Sequence, residues 1–239
     1  MMSSSSSSSS PNTINWIRIG LLALPISGLL TAWATLTPQP NPSTEFEAWS
    51  SFVTTTYFML THLLGTMLGI ILLIFGVIAL GAYLAKWGRS GRLGLVAMVI
   101  TIAANMLFLP ITGWAAFGEP AVGRAYLSGI EEAMQFNPGV DFTVIFLLSI
   151  LLAFIGNVLL GIAVWRSRTL PKWAGAIWIV WAVMFYVAGV LYGLFFLGSS
   201  PPTQPLGSLL MAISGGWIVW SVFRQPPPTA ALQQHRQEA

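Results

Sequence analysis

The chain has 239 residues, 55% of them hydrophobic and only 7% charged, with a formal net charge of +3. Soluble domains carry about 25% charged residues, and a soluble fold of this length could not hide so much apolar surface from water. Cysteine is absent, which excludes disulfides, thiolate catalysis, iron–sulfur clusters and cysteine-bound zinc, and no dense basic block suggests nucleic acid.

Residues 1–13 open with Met1, Met2, a run of serines from Ser3 to Ser10, and Pro11. Such a tract cannot bury a core and is expected to be disordered. The apolar runs that follow are Ile14–Leu36, Tyr57–Ala85, Leu93–Phe117, Phe142–Trp165, Trp173–Leu197 and Leu206–Phe223. About 20 apolar residues cross the hydrocarbon of a bilayer. A β-barrel would instead alternate apolar and polar residues in segments of about ten. The expected fold class is all-α: a polytopic transmembrane bundle of six spans over 14–223, followed by a polar tail, 224–239. Span one contains Arg18 and Pro25 and no small-residue cleavage site, so it reads as a retained span. The second run exceeds what a span requires, so that helix tilts or projects. Pro25 and Pro110 are each expected to kink their helix.

Positive loops stay in the cytoplasm. With six spans, Arg18, Lys86, Arg89, Arg92, Arg166, Arg168, Lys172, Arg224 and Arg236 fall on one side and Arg124 alone on the other. Both termini are therefore expected in the cytoplasm, and the chain in a cell membrane of the bacterial inner-membrane type. Trp16, Trp87, Trp165 and Trp173 suit the inner interface and Trp33, Trp49 and Trp114 the outer one. Trp178 and Trp181 read as packing residues.

Two outer segments carry helix signals. Thr44 stands three residues before Glu47, the spacing of a capping box, ahead of Phe46, Trp49 and Phe52. Ala121–Gln135 reads as an amphipathic surface helix starting near Pro120, with Val122, Tyr126, Ile130, Ala133 and Met134 on one face. Asn137-Pro138-Gly139 would stop it.

An offset of 80 residues superposes the hairpin of spans two and three on that of four and five. Gly76 falls on Gly156, Gly81 on Gly161, Gly113 on Gly193 and Gly118 on Gly198, with Lys86 on Arg166 and Arg92 on Lys172. A tandem hairpin repeat explains this. So does the general recurrence of glycine in membrane helices.

Few residues could carry chemistry. His62 is the histidine nearest a span; at 1.5 Å per residue it lies about 36 Å from Lys86, hence at the outer interface. Its functional reading is an axial ligand to a haem or a chlorin, or a titrating group. Its plainer reading is a ring anchored among headgroups or bonded to a neighbour. Asn105 in span three and Asn157 in span four need partners in hydrocarbon, and the usual partner is another helix. The Gly65–Gly69 and Gly189–Gly193 pairs have the GxxxG spacing of closely packed helices. Paired buried carboxylates, a HExxH zinc site and a serine with its base are not legible. No catalytic, cofactor-binding or metal-ligating residue is therefore assigned, no cofactor is expected, and His62, Asn105 and Asn157 are the candidate polar residues.

The turn Arg168-Thr169-Leu170-Pro171-Lys172-Trp173, followed by Ala174-Gly175, resembles one in uncharacterised bacterial multi-pass membrane protein families with similar hairpins. That resemblance implies a membrane location and no activity. The expected role is a non-enzymatic accessory or scaffolding subunit whose partners are the lipid bilayer and another membrane protein. The alternatives are a carrier or binder of a small neutral or lipophilic molecule, and a single-histidine pigment or haem binder.

Overall fold

The structure, a computed structural model, describes residues 11–197 and 201–224, with side chains over 15–196 and 201–224. The whole serine run, Gly198 and the tail with His235 lie outside the described residues. Pro11 to Thr13, expected in the tail, instead begin the first helix, and Arg224 closes the last one.

The elements are α1 (Pro11–Leu21), α2 (Ala23–Ala34), α3 (Phe46–Val53), α4 (Thr56–Leu60), a π-helical stretch (Thr61–Met67) and α5 (Leu68–Trp87). Then come α6 (Gly91–Leu127), a 3-10 turn (Glu131–Gln135), α7 (Val140–Arg166) and α8 (Lys172–Ala182). Two π-helical stretches (Val183–Leu191 and Gly193–Leu197) and α9 (Thr203–Arg224) complete the chain. Six helices are long and apolar enough to cross a membrane: Asn15–Ala34, Thr56–Trp87, Gly91–Leu127, Val140–Arg166, Lys172–Phe196 and Thr203–Arg224. The expected bundle of six spans is the architecture found.

The two internal prolines behave differently. Pro25 has no N–H for the carbonyl of Leu21, and the first span breaks at Leu22, between α1 and α2. At Pro110 and again at Pro120 the helix continues, so α6 runs unbroken over 37 residues. The expected surface helix over 121–135 is thus not a separate element. Its first half prolongs span three, and its second half is the 3-10 turn. The reason is packing. Val122 joins a second core formed by Trp49, Val53 and Phe58, and Tyr126 meets Phe46 edge-on at 4.9 Å. A Cβ on Gly123 would lie 2.9 Å from the Ser50 carbonyl oxygen, so α3 docks closely on this extension. Burial against α3 offsets a proline cost of about 3 kcal/mol. Trp49 is accordingly a core residue rather than an interface anchor.

The capping box also fails to form. Helix α3 starts at Phe46 with Glu45 as its cap and no side-chain bond there. The Asn41 side chain instead accepts from the Ser43 N–H, and its carbonyl accepts from those of Thr44 and Glu45. An asparagine turn after the prolines has taken the place of the threonine cap.

Each span packs on its chain neighbours, and α9 returns to α2, closing the six into a ring around one buried cluster. Lipid tails are as apolar as leucine, so close approach and interhelical hydrogen bonds hold such a bundle together. Both are present. Added methyls on Gly65 and Gly69 would meet Ala34 and Thr31 of α2 at 2.5 and 3.0 Å, so this GxxxG pair lets two helices touch. The Ser27 hydroxyl donates to the Gly69 carbonyl at 2.7 Å and that of Ser214 to the Ala174 carbonyl at 2.7 Å, tying α2 to α5 and α9 to α8.

The glycines of the 80-residue offset divide. Gly76 abuts Leu24 of the preceding span, as Gly156 abuts Thr101 of the preceding span. Gly81 faces Met98 on the following span, and Gly161 faces Ile179, one residue from the equivalent register. These two pairs do the same packing work in each hairpin. Gly113 has nothing near it, and Gly118 lies against Trp114 of its own helix.

Candidate functional site

The polar residues expected inside the bundle do not come together. Asn105, on α6, is buried, and its amide donates to the Thr101 carbonyl of its own helix at 2.7 Å. The bond to another helix anticipated for it is replaced by one a turn back, which any helical asparagine can reach.

Asn157 is different. It is fully buried on α7, and its Nδ2 donates to the Ala153 carbonyl at 2.9 Å and to the Tyr186 hydroxyl at 3.4 Å. Its Oδ1 accepts from the Trp178 indole N–H at 3.3 Å. The two interhelical bonds are long, so each is weaker than an ideal one. Together they make Asn157 the clasp between span four and span five. Asn157 thus has partners on another helix, where Asn105 has none among the described residues.

The clasp sits in an aromatic layer. Trp178 meets Trp181 edge-on at 5.2 Å, Trp181 lies 5.9 Å from Tyr186, and Tyr186 meets Phe185 at 5.1 Å. The span turns π-helical from Val183, which widens the helix where Tyr186 reaches Asn157. Trp178 and Trp181 are buried packing residues, as expected, but Trp178 is also a donor. The indole nitrogen of Trp181 and the hydroxyl of Thr101 are buried without a hydrogen-bond partner. Such an orphan costs about 1–3 kcal/mol.

The roles of Trp178 and Tyr186 escaped the sequence reading. Their spacing of eight puts both on one helical face, a signal that was present but is shared with ordinary core residues.

His62 lies in the first π-helical stretch, Thr61–Met67, near the end of the bundle opposite the basic turns. Its Nδ1 is 2.9 Å from the Phe58 carbonyl, which can only accept, so this nitrogen carries the proton. The Thr61 hydroxyl donates to the same carbonyl at 2.9 Å, and the imidazole lies tilted by 34° against the Phe58 ring with centroids 4.0 Å apart. The ring is half-buried and bonded to a neighbour. Its Nε2 is the nitrogen a metal would use. Among the described residues, no three His, Asp or Glu side chains gather where a metal ion could be held.

Two clefts lie at the ends of the bundle. One of about 160 Å3 sits between Thr54–Thr56 and the α6 extension near Arg124. The other, of about 870 Å3, opens between the two basic turns that follow α5 and α7. No family model, no curated protein and no solved structure matches this chain.

Proposed function

We propose that this chain is a non-enzymatic multi-pass membrane subunit, an accessory or scaffolding component that works through its outer surfaces. The observation that carries this reading is the engagement of the three candidate polar residues by the chain itself. Asn157 is held by Trp178 and Tyr186, Asn105 by its own helix, and His62 by Phe58. Asn157 holds two spans in register, Asn105 and His62 are spent on their own helices, and contact with other molecules falls to the rim and the lipid-facing sides. The basic turns and the end of α9 lie in the cytoplasm on this reading, because arginine and lysine concentrate there.

A second reading draws on one specific observation. The Trp181 indole N–H is buried without a partner. A small neutral molecule with an acceptor atom would satisfy it, which fits a carrier or binder of such a ligand.

Purification in mild detergent, with native mass spectrometry and an absorption spectrum, separates these readings. A stoichiometric protein partner is the expected result. A small neutral mass that copurifies, and is lost in Trp181→Phe, favours the second reading over the first. A visible band abolished by His62→Gln overturns both in favour of a pigment site. Reporter fusions after Arg89, Arg168 and Arg236 should face the cytoplasm and a fusion within 121–135 the opposite side. A cytoplasmic signal from 121–135 would refute this orientation.

A further inference from the structure

The largest concentration of positive charge lies away from the interior clasp, at the rim. Arg89 and Arg92 come from the turn between α5 and α6, and Arg166 and Arg168 from the turn between α7 and α8. All four line one crevice of about 870 Å3, and among the described residues no acidic side chain lines it with them. That volume is in the range of small-ligand sites.

The crevice is built by contacts between the two turns. The Arg89 N–H donates to the Ser167 carbonyl at 3.1 Å, and the Ser90 hydroxyl donates to the Ala163 carbonyl at 2.6 Å. The Ser167 hydroxyl donates to the Val164 carbonyl at 2.8 Å and accepts from the Leu170 N–H at 3.1 Å. Arg168 follows with φ of 62°, a left-handed conformation that a long side chain rarely adopts. Two turns far apart in sequence are thus locked together, with four arginines lining one space.

Like charges gathered at a membrane surface repel, and an anion that bridges them removes the repulsion. A guanidinium presents two parallel N–H groups that match the oxygens of a phosphate. Beside the arginines the same crevice is lined by Leu95 and Trp165, both of which turn large apolar surface outward. Cationic and apolar walls side by side suit a molecule with a phosphate head and an apolar body.

We propose that this crevice binds a phosphate group, carried by an anionic phospholipid headgroup or by a free phosphate. The inference does not depend on the scaffolding reading and holds for either orientation of the chain.

The test uses the full chain in neutral detergent, with dioleoylphosphatidylglycerol, dioleoylphosphatidylcholine and inorganic phosphate as probes. Native mass spectrometry and thermal shift read binding to the wild type, to Arg92→Gln/Arg168→Asn and to Arg224→Gln. Asparagine is chosen at 168 because it tolerates the left-handed backbone. The single variant Arg92→Gln accompanies the double one and carries the test if the latter is not monodisperse. Wild type should bind the anionic lipid saturably and more tightly than phosphatidylcholine. The double variant should weaken that binding by at least about tenfold, the loss of one charge-assisted hydrogen bond. Arg224→Gln, at the same end but outside the crevice, should stay within about twofold, since a diffuse surface charge contributes little. If inorganic phosphate shows the same saturable, variant-sensitive effect, the ligand is a free phosphate; if only the lipid does, it is a headgroup. No saturable binding to wild type, equal binding by wild type and crevice variants, or an equal loss in Arg224→Gln would each overturn the proposal.

Discussion

The hairpin of α5 and α6 and that of α7 and α8 share glycine spacing but use different chemistry at matched places. Where the second hairpin has Asn157, Trp178 and Tyr186, the first has Val77, Met98 and Met106, each 80 residues earlier. Val77 is wholly buried and Met98 covers Gly81, whereas Met106 turns outward. At these matched places the first hairpin packs apolar side chains, and the second adds a polar clasp. An apolar seam tolerates small shifts, because a methionine adapts to its surroundings. A hydrogen-bonded seam in hydrocarbon fixes rotation and depth, because a slip leaves an amide without a partner. The second hairpin is therefore the more narrowly specified of the two.

Four experiments sharpen or break this comparison. The largest effect is expected at the matched glycines. A methyl on Gly161 would lie 2.9 Å from the Gly175 carbonyl oxygen and closer still to Ile179, whereas one on Gly81 meets the flexible Met98. Backbone cannot move aside as a thioether can. Gly161→Val should destabilise by about 3 kcal/mol and Gly81→Val by about 1 kcal/mol, in thermal unfolding in detergent. Equal losses would mean that the hairpins do not differ in rigidity.

Asn157→Leu comes next. It strips the Trp178 indole of its acceptor and should cost about 2 kcal/mol. Adding Trp178→Phe should recover part of that loss, because the orphaned donor is gone. No recovery would show that the clasp contributes packing alone.

Asn105→Ala should cost about 1 kcal/mol or less, since the amide bonds within its own helix and releases no partner on another. A loss as large as that at Asn157, read in the same unfolding experiment, would reveal an interhelical role.

The smallest effect is expected at His62. A glutamine there keeps a donor within reach of the Phe58 carbonyl, so His62→Gln should change stability by less than about 0.5 kcal/mol. The absorption spectrum of the purified protein should not change. A shifted visible band would put a chromophore at Nε2.

Length and composition were enough for the sequence to determine six spans and the ends at which they turn. Each apolar run must hide its own backbone polar groups by helical bonds before it meets any neighbour. The burial of Trp178 and Trp181 and the need of Asn157 for a partner were legible for the same reason. What required tertiary structure was every choice among neighbours. Thr44 lost the cap to an asparagine turn, and Pro120, expected to open a separate helix, lies inside α6 because α3 packs across the residues beyond it. Asn105 and Asn157 look alike as sequence, yet only the latter faces an indole and a phenol on the next span. The arginines of two turns announced an orientation, but their meeting in one crevice rests on the bonds of Arg89 and Ser90 to the α7 end. Solvation is a property each segment carries with it; pairing depends on which helix the closed ring sets beside it.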